Sequence, residues 1–128
     1  MIYLWIGLGS GVGGAARYWC YGLAARYLGD TYPWGTLLVN VAGSAFIGFF
    51  AALTASSGRL LVAPSHRQFV MAGLCGGFTT FSTFSLETLN LVREGDWLRA
   101  FGNVAGTLTL CLLGVWLGYA AATTFNER

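Results

Sequence analysis

The chain has 128 residues, of which 55% are hydrophobic and 9% charged, with a mean hydropathy of +0.61. A soluble domain of this size has too little interior to hide so much apolar material, so the composition reads as an integral membrane protein with lipid for solvent. The formal charge is +2, and no basic patch with interleaved aromatics marks a nucleic-acid partner.

A span needs about 20 apolar residues to cross a hydrocarbon core of roughly 30 Å. The sequence divides into four such pieces, at residues 2–23, 34–55, 69–92 and 97–123, giving one all-α, four-helix transmembrane domain over 1–128. The joints, 26–33, 56–67 and 93–96, are short, so successive helices are expected to lie antiparallel with no domain outside the membrane.

Nothing basic precedes the first span and its apolar stretch exceeds that of a signal peptide, so it is expected to be retained. It contains Gly9-Ser10-Gly11-Val12-Gly13-Gly14, the spacing of a dinucleotide fingerprint. That spacing has meaning only between a strand and a helix; within an apolar span it reads as close helix packing. Arg17 lies in the same span, either as an anchor snorkelling to the interface or as a cation at a vestibule that attracts an anion. The second span opens on Trp34, an interfacial anchor like Trp5 and Trp97. Two turns later comes Asn40, whose amide donates two hydrogen bonds and suits an interhelical clasp or a polar site.

The third span holds Gly76-Gly77-Phe78-Thr79-Thr80-Phe81-Ser82-Thr83-Phe84-Ser85, with two glycines, five hydroxyls and phenylalanines at i and i+3. Backbone that leaves the helix at membrane depth survives only where protein or a water-filled cavity receives its polar groups. A break in this third helix is therefore expected, lining a path or coordinating an ion. At about 100° per residue, Thr80, Thr83, Phe84, Glu87 and Thr88 share one face, with Phe81 and Ser85 at its edge. Glu87 reads either as a proton or ion carrier or as a vestibule carboxylate paired with Arg93. The phenylalanine quadrupole has a positive edge, which helps hold a small anion without the full charge that would trap it.

In the fourth span Gly102, Gly106, Gly114 and Gly118 fall on one four-residue ladder, resembled by Gly7/Gly11 and Gly9/Gly13 in the first, and mark where backbones can meet. Cys20, Cys75 and Cys111 are odd in number and lie within spans, as small apolar residues rather than as disulfide or metal ligands. His66 stands in a loop beside Arg67 without a carboxylate or thiol neighbour. No nucleophile–base pair, metal-ligand spacing or carboxylate pair outside the loop appears, so the chain is not read as an enzyme.

There is no lysine. Arg59, Arg67 and Arg128 fall on one side of the membrane and Arg26, Arg93 and Arg99 on the other, with Arg17 a fourth if it lies near that interface. Orientation follows the Lys/Arg excess, and here there is almost none. The expectation is dual topology, with inverted copies paired as an antiparallel homodimer; one chain of four helices has too little interior to enclose a pathway.

These residues resemble the Fluc (CrcB-type) fluoride channel family of microbial membranes. The resemblance rests on the glycine-rich start ending in Arg17, on Pro33-Trp34-Gly35-Thr36-Leu37-Leu38-Val39-Asn40, on the run from Gly73 to Ser85 with its Thr-Thr-Phe-Ser-Thr-Phe core, and on Glu87. It implies passive export of fluoride across the cell membrane, protecting the cell from fluoride toxicity, through two pores in an antiparallel dimer with a structural sodium ion on its axis. By motif position, Phe81 and Phe84 are the paired pore phenylalanines, Asn40 a pore-lining amide, and Ser82 and Thr83 part of a polar track. The carbonyls of Gly76 and Thr79 bind the sodium, and Arg17 and Glu87 lie toward the vestibules. A tyrosine completes the track in some members; the matching position here is Asn103. The competing reading from another class is a dual-topology proton-coupled exporter of small cations, which would centre a carboxylate in its first span, where this chain has none. A third, a structural subunit of a larger complex, predicts no flux by the purified chain alone.

Overall fold

The computed structural model describes residues 1–128 and is built of helices. They are α1 (Ile2–Leu28), α2 (Trp34–Leu53), α3 (Pro64–Gln68), a π-wound segment (Phe69–Cys75), α4 (Gly76–Phe78), α5 (Phe81–Arg93) and α6 (Trp97–Asn126). Three helical stretches are long and apolar enough to cross a membrane: Trp34–Leu53, Pro64–Arg93 and Trp97–Asn126. The four-span expectation is thus met by composition in three. α1 has the length, at 27 residues, but its glycines, tyrosines and Arg17 dilute its hydropathy. It also runs past the expected end at residue 23, which leaves Arg17 11 residues from Leu28, about 16 Å along the axis at 1.5 Å per residue.

The helix ends follow from local chemistry. α1 stops at Gly29, whose φ of 81° is a left-handed conformation disfavoured for residues with a Cβ; Pro33 then precedes α2. Between α5 and α6 the chain reverses in three residues, Glu94 to Asp96. The Gly95 and Asp96 amides bond back to the Val92 and Leu91 carbonyls, and Gly95 has φ 79°, the paired bonding of a Schellman motif. Asp96 then caps α6, accepting from the Arg99 amide at 3.1 Å and pairing with the Arg99 guanidinium at 3.3 Å.

Two glycine seams hold the bundle. In one, α1 lies against the π segment and α4: a Cβ on Gly73 would come 2.9 Å from the Ile6 carbonyl oxygen, and one on Gly77 would come 2.8 Å from Ser10 Cα. Gly9 and Gly13 are buried in the same seam, so the apparent nucleotide fingerprint is a packing surface on a helix. In the other, α2 and α6 meet in the most extensive contact of the molecule, with Gly48 against Val115 and Gly114 and Gly118 against Val41, Ala45 and Phe49. The expected ladder on α6 is therefore divided: Gly114 and Gly118 are used within the chain, whereas Gly102 and Gly106 meet nothing, and neither do Gly7 and Gly11. Small residues permit close backbone approach wherever dispersion between helices must replace the hydrophobic effect.

Only 20 of the 128 residues are buried, while leucines, phenylalanines and tryptophans line the outside. Such an exterior is stable against lipid tails and not against water, which makes this a membrane protein.

Candidate functional site

The helix of the third stretch ends at Phe78, and Thr79 and Thr80 take extended backbone (φ −85°, ψ 159° and φ −154°, ψ 113°) before α5 begins. Thr80 caps α5, its hydroxyl accepting from the Thr83 amide at 3.2 Å. Departure from the helix frees the Thr80 amide and carbonyl, and Asn40 receives both. Its Nδ2 donates to the Thr80 carbonyl at 3.0 Å and its Oδ1 accepts from the Thr80 amide at 2.7 Å. The pair fixes which way the amide faces, since only one orientation offers a donor to the carbonyl and an acceptor to the N–H. One Nδ2 hydrogen is left without a partner in the chain.

Asn40 also lines a groove of about 360 Å³ with Gly43, Ser44, Gly76, Thr79, Thr80, Phe81 and Phe84, closed on the α6 side by Thr107, Leu108 and Cys111. The two phenylalanine rings lie 5.3 Å apart at 52°. Their surroundings differ: Phe84 is 6% exposed and Phe81 71%. Thr80 is the hub of the hydroxyls, donating to Thr83 Oγ1 at 3.0 Å and lying 3.3 Å from Ser82 Oγ. Ser82 is exposed and Thr83 half-buried. The Thr83 hydroxyl accepts from Thr80, and Thr83 itself lies beside the groove without lining it.

The Gly76 and Thr79 carbonyls receive no hydrogen bond: the Thr79 amide goes to Cys75, the Thr80 amide to Asn40 and the Thr83 amide to the Thr80 hydroxyl. Free carbonyl oxygens are the donor set of a hard cation, and these two fit one in kind, though two oxygens are fewer than such an ion takes.

Glu87 departs from one of its expected roles. It makes no ion pair with Arg93; its Oε1 accepts from Thr36 Oγ1 at 2.9 Å, and its Oε2 is buried without a partner. It lines a hollow of about 180 Å³ with Asp30, Tyr32, Asn90 and Glu94 at the α1–α2 joint, where burial pushes the Tyr32 phenol pKa up. Arg17 is half-buried on α1 and takes part in no ion pair. Asn103 is 1% exposed on α6, donating to Thr88 Oγ1 at 2.9 Å and accepting from Thr107 Oγ1 at 3.4 Å. His66 ends up in α3 with its ring 5.3 Å from that of Trp5, at 86°, and the three cysteines are free.

Thr36 and Thr107 were not singled out as site residues, and Cys111 was read only as a small apolar residue, although a helical repeat was there to find them. Thr36 stands one turn before Asn40, and Thr107 and Cys111 one and two turns after Asn103.

The family model described as "CrcB-like protein, Camphor Resistance (CrcB)" matches residues 4–119. The chain belongs to the CrcB family. A CrcB relative from Methylocella silvestris, named fluoride-specific ion channel FluC, is 57% identical over 127 residues, covering 99% of this chain and 97% of that one. Relatives of the same name from Opitutus terrae and Paramagnetospirillum magneticum are 59% and 54% identical over 126 and 127 residues, covering 98% and 99% of this chain and 96% and 99% of theirs. A channel family also accounts for a site with donors, rings and no reacting group. This CrcB chain is a transport protein and not an enzyme.

Proposed function

We propose that this chain conducts fluoride passively out of the cell across its inner, or plasma, membrane, as a homodimer with an inverted copy, and so protects the cell from fluoride. The observation that carries the reading is the groove at Thr79–Thr80, which Asn40, with a spare amide hydrogen, and the Phe81 and Phe84 rings line together. Each is a weak positive group. Fluoride is small and strongly hydrated, and a path that strips its water must offer donors in sequence, none strong enough to hold it. The names of the CrcB relatives point to the same ion.

The dimer explains what one copy leaves open. Phe81, Ser82, Ser85 and Gly76 are exposed, and hydroxyls and free carbonyls facing hydrocarbon are costly. A second copy covers them and closes the groove into a pore, one per protomer, with α1 completing a four-span bundle and the third span broken at Thr79–Thr80. In this arrangement Phe81 and Phe84 present ring edges to the ion, Asn40 and the Ser82–Thr83 hydroxyls donate to it, and Asn103 supports this polar run from α6. Arg17 and Glu87 stand toward the two mouths. A structural sodium ion fits the Gly76 and Thr79 carbonyls, with the inverted copy supplying two more; bound there, it would neutralise the converging carbonyl dipoles and tie the protomers together.

Purified protein in liposomes tests the reading. Fluoride-loaded vesicles should empty down the gradient while chloride-loaded ones hold their content. Failure to release fluoride, or fluoride accumulation driven by an imposed sodium or proton gradient, would overturn passive conduction.

A further inference from the structure

We propose that Asn103 is a positioning residue for Phe84, acting through Thr88 and not on the passing ion. α5 has only limited contact with the rest of the chain, so its rotation depends on a few side-chain clasps. One of these is a relay: Asn103 Nδ2 donates to Thr88 Oγ1 at 2.9 Å, and Thr88 Oγ1 donates to the Phe84 carbonyl at 2.8 Å. A threonine hydroxyl has one hydrogen and two lone pairs; here the hydrogen is spent on Phe84 and a lone pair on Asn103. The other end of the amide is spent too, since Oδ1 accepts from Thr107.

The position of the amide supports the same assignment. Phe84 and Thr107 line the groove, whereas Asn103 does not and is 1% exposed. The relay therefore fixes the backbone from which the Phe84 ring projects, relative to the α6 wall that the ring faces. In a low-dielectric interior such a bond is strong, and a missing partner leaves a buried polar group unpaired. Swinging the Phe84 carbonyl would turn the ring edge away from the groove.

This inference builds on the fluoride-conducting reading, and two measurements separate them. In liposomes, Thr88→Val, which keeps the shape and removes the hydroxyl, should cut fluoride flux on the order of tenfold, equivalent to about 1.4 kcal/mol in the barrier. Asn103→Leu should do the same, the double variant should be no worse than either single one, and Thr88→Ser should restore flux. Independently of flux, para-fluorophenylalanine placed at Phe84 should show a changed fluorine-NMR shift in Thr88→Val and Asn103→Leu and an unchanged one in Thr88→Ser. Wild-type flux in Thr88→Val beside a loss in Asn103→Leu would mean that Asn103 meets the ion directly and would overturn the proposal, as would additive losses or an unmoved shift. If Asn103→Leu fails to assemble, the Thr88→Val and Thr88→Ser comparison decides alone; if the wild type passes no fluoride, the shift still does.

Discussion

Phe81 and Phe84 have the same side chain three residues apart, yet one is exposed and the other buried. Their consequences on substitution should separate accordingly. Phe84→Ile keeps apolar bulk and loses the positive ring edge, so fluoride flux should fall by about tenfold or more, an effect near 1.4 kcal/mol; Phe84→Met, flexible and polarizable, should retain part of it if shape matters more than the quadrupole. Phe81→Ile should lose flux with little change in protomer stability, because its ring is not core. Flux assays paired with size-exclusion profiles check both, and wild-type flux in the double isoleucine variant would return the rings to ordinary packing. Asn40 has a double duty, since it satisfies the Thr80 backbone and presents a spare hydrogen to the groove. Asn40→Leu leaves both Thr80 groups unpaired and should cost about 1–3 kcal/mol of stability for each, visible as lost dimer on size exclusion.

At the scale of elements, Thr80 and α5 are held by three side-chain clasps reaching from α2 and α6: Asn40 on Thr80, Thr36 on Glu87 and Asn103 on Thr88. The glycine seams supply the rest. Gly77→Leu would drive a side chain into Ser10 on α1, and overpacking of this kind costs typically 1–3 kcal/mol or more; thermal unfolding in detergent should show a lowered midpoint. Gly118→Leu meets the α2 backbone and should behave likewise, whereas Gly106→Leu, open within the chain, should leave the protomer's midpoint unchanged and disturb only an assembly that uses that face. Equal effects at Gly118 and Gly106 would contradict this division of the α6 ladder.

For the whole molecule, the arginine count and the exposed polar edge both bear on the proposed inverted pair. Arginine is the only strong cation along the chain, with seven in all, and its near balance gives insertion little direction. Reporter fusions at Arg128 should appear on both sides of the membrane. Two or three arginines added at the C-terminus should force one orientation and abolish flux, with rescue by a copy biased the other way; a single fixed orientation of the unmodified chain would exclude the inverted pair. Thorough sodium removal should lower flux and loosen the dimer without reversing transport, and undiminished activity in sodium-free vesicles would remove the structural ion from the account.

Membrane character, helical class and the polar run at Gly76–Ser85 were legible in the chain because they depend on composition and on order along it. Hydropathy is a sum over neighbours, and a cluster of hydroxyls and glycines is visible whatever surrounds it. The fold decided the matters that depend on which backbone lies beside which. Glu87 was read as an option for Arg93, two turns along its own helix, but α2 brings Thr36 to it from 51 residues away. Four glycines on α6 look equivalent in sequence, and the crossing with α2 occupies only the two near its C-terminal half. The length of α1 was underestimated because Arg26 and Tyr27 read as the start of a polar joint although they do not stop a helix, and Gly29 ends it. The partners of Asn40 and Asn103 were likewise undecided, since an amide accepts many neighbours and tertiary packing alone chooses the Thr80 backbone for one and Thr88 for the other.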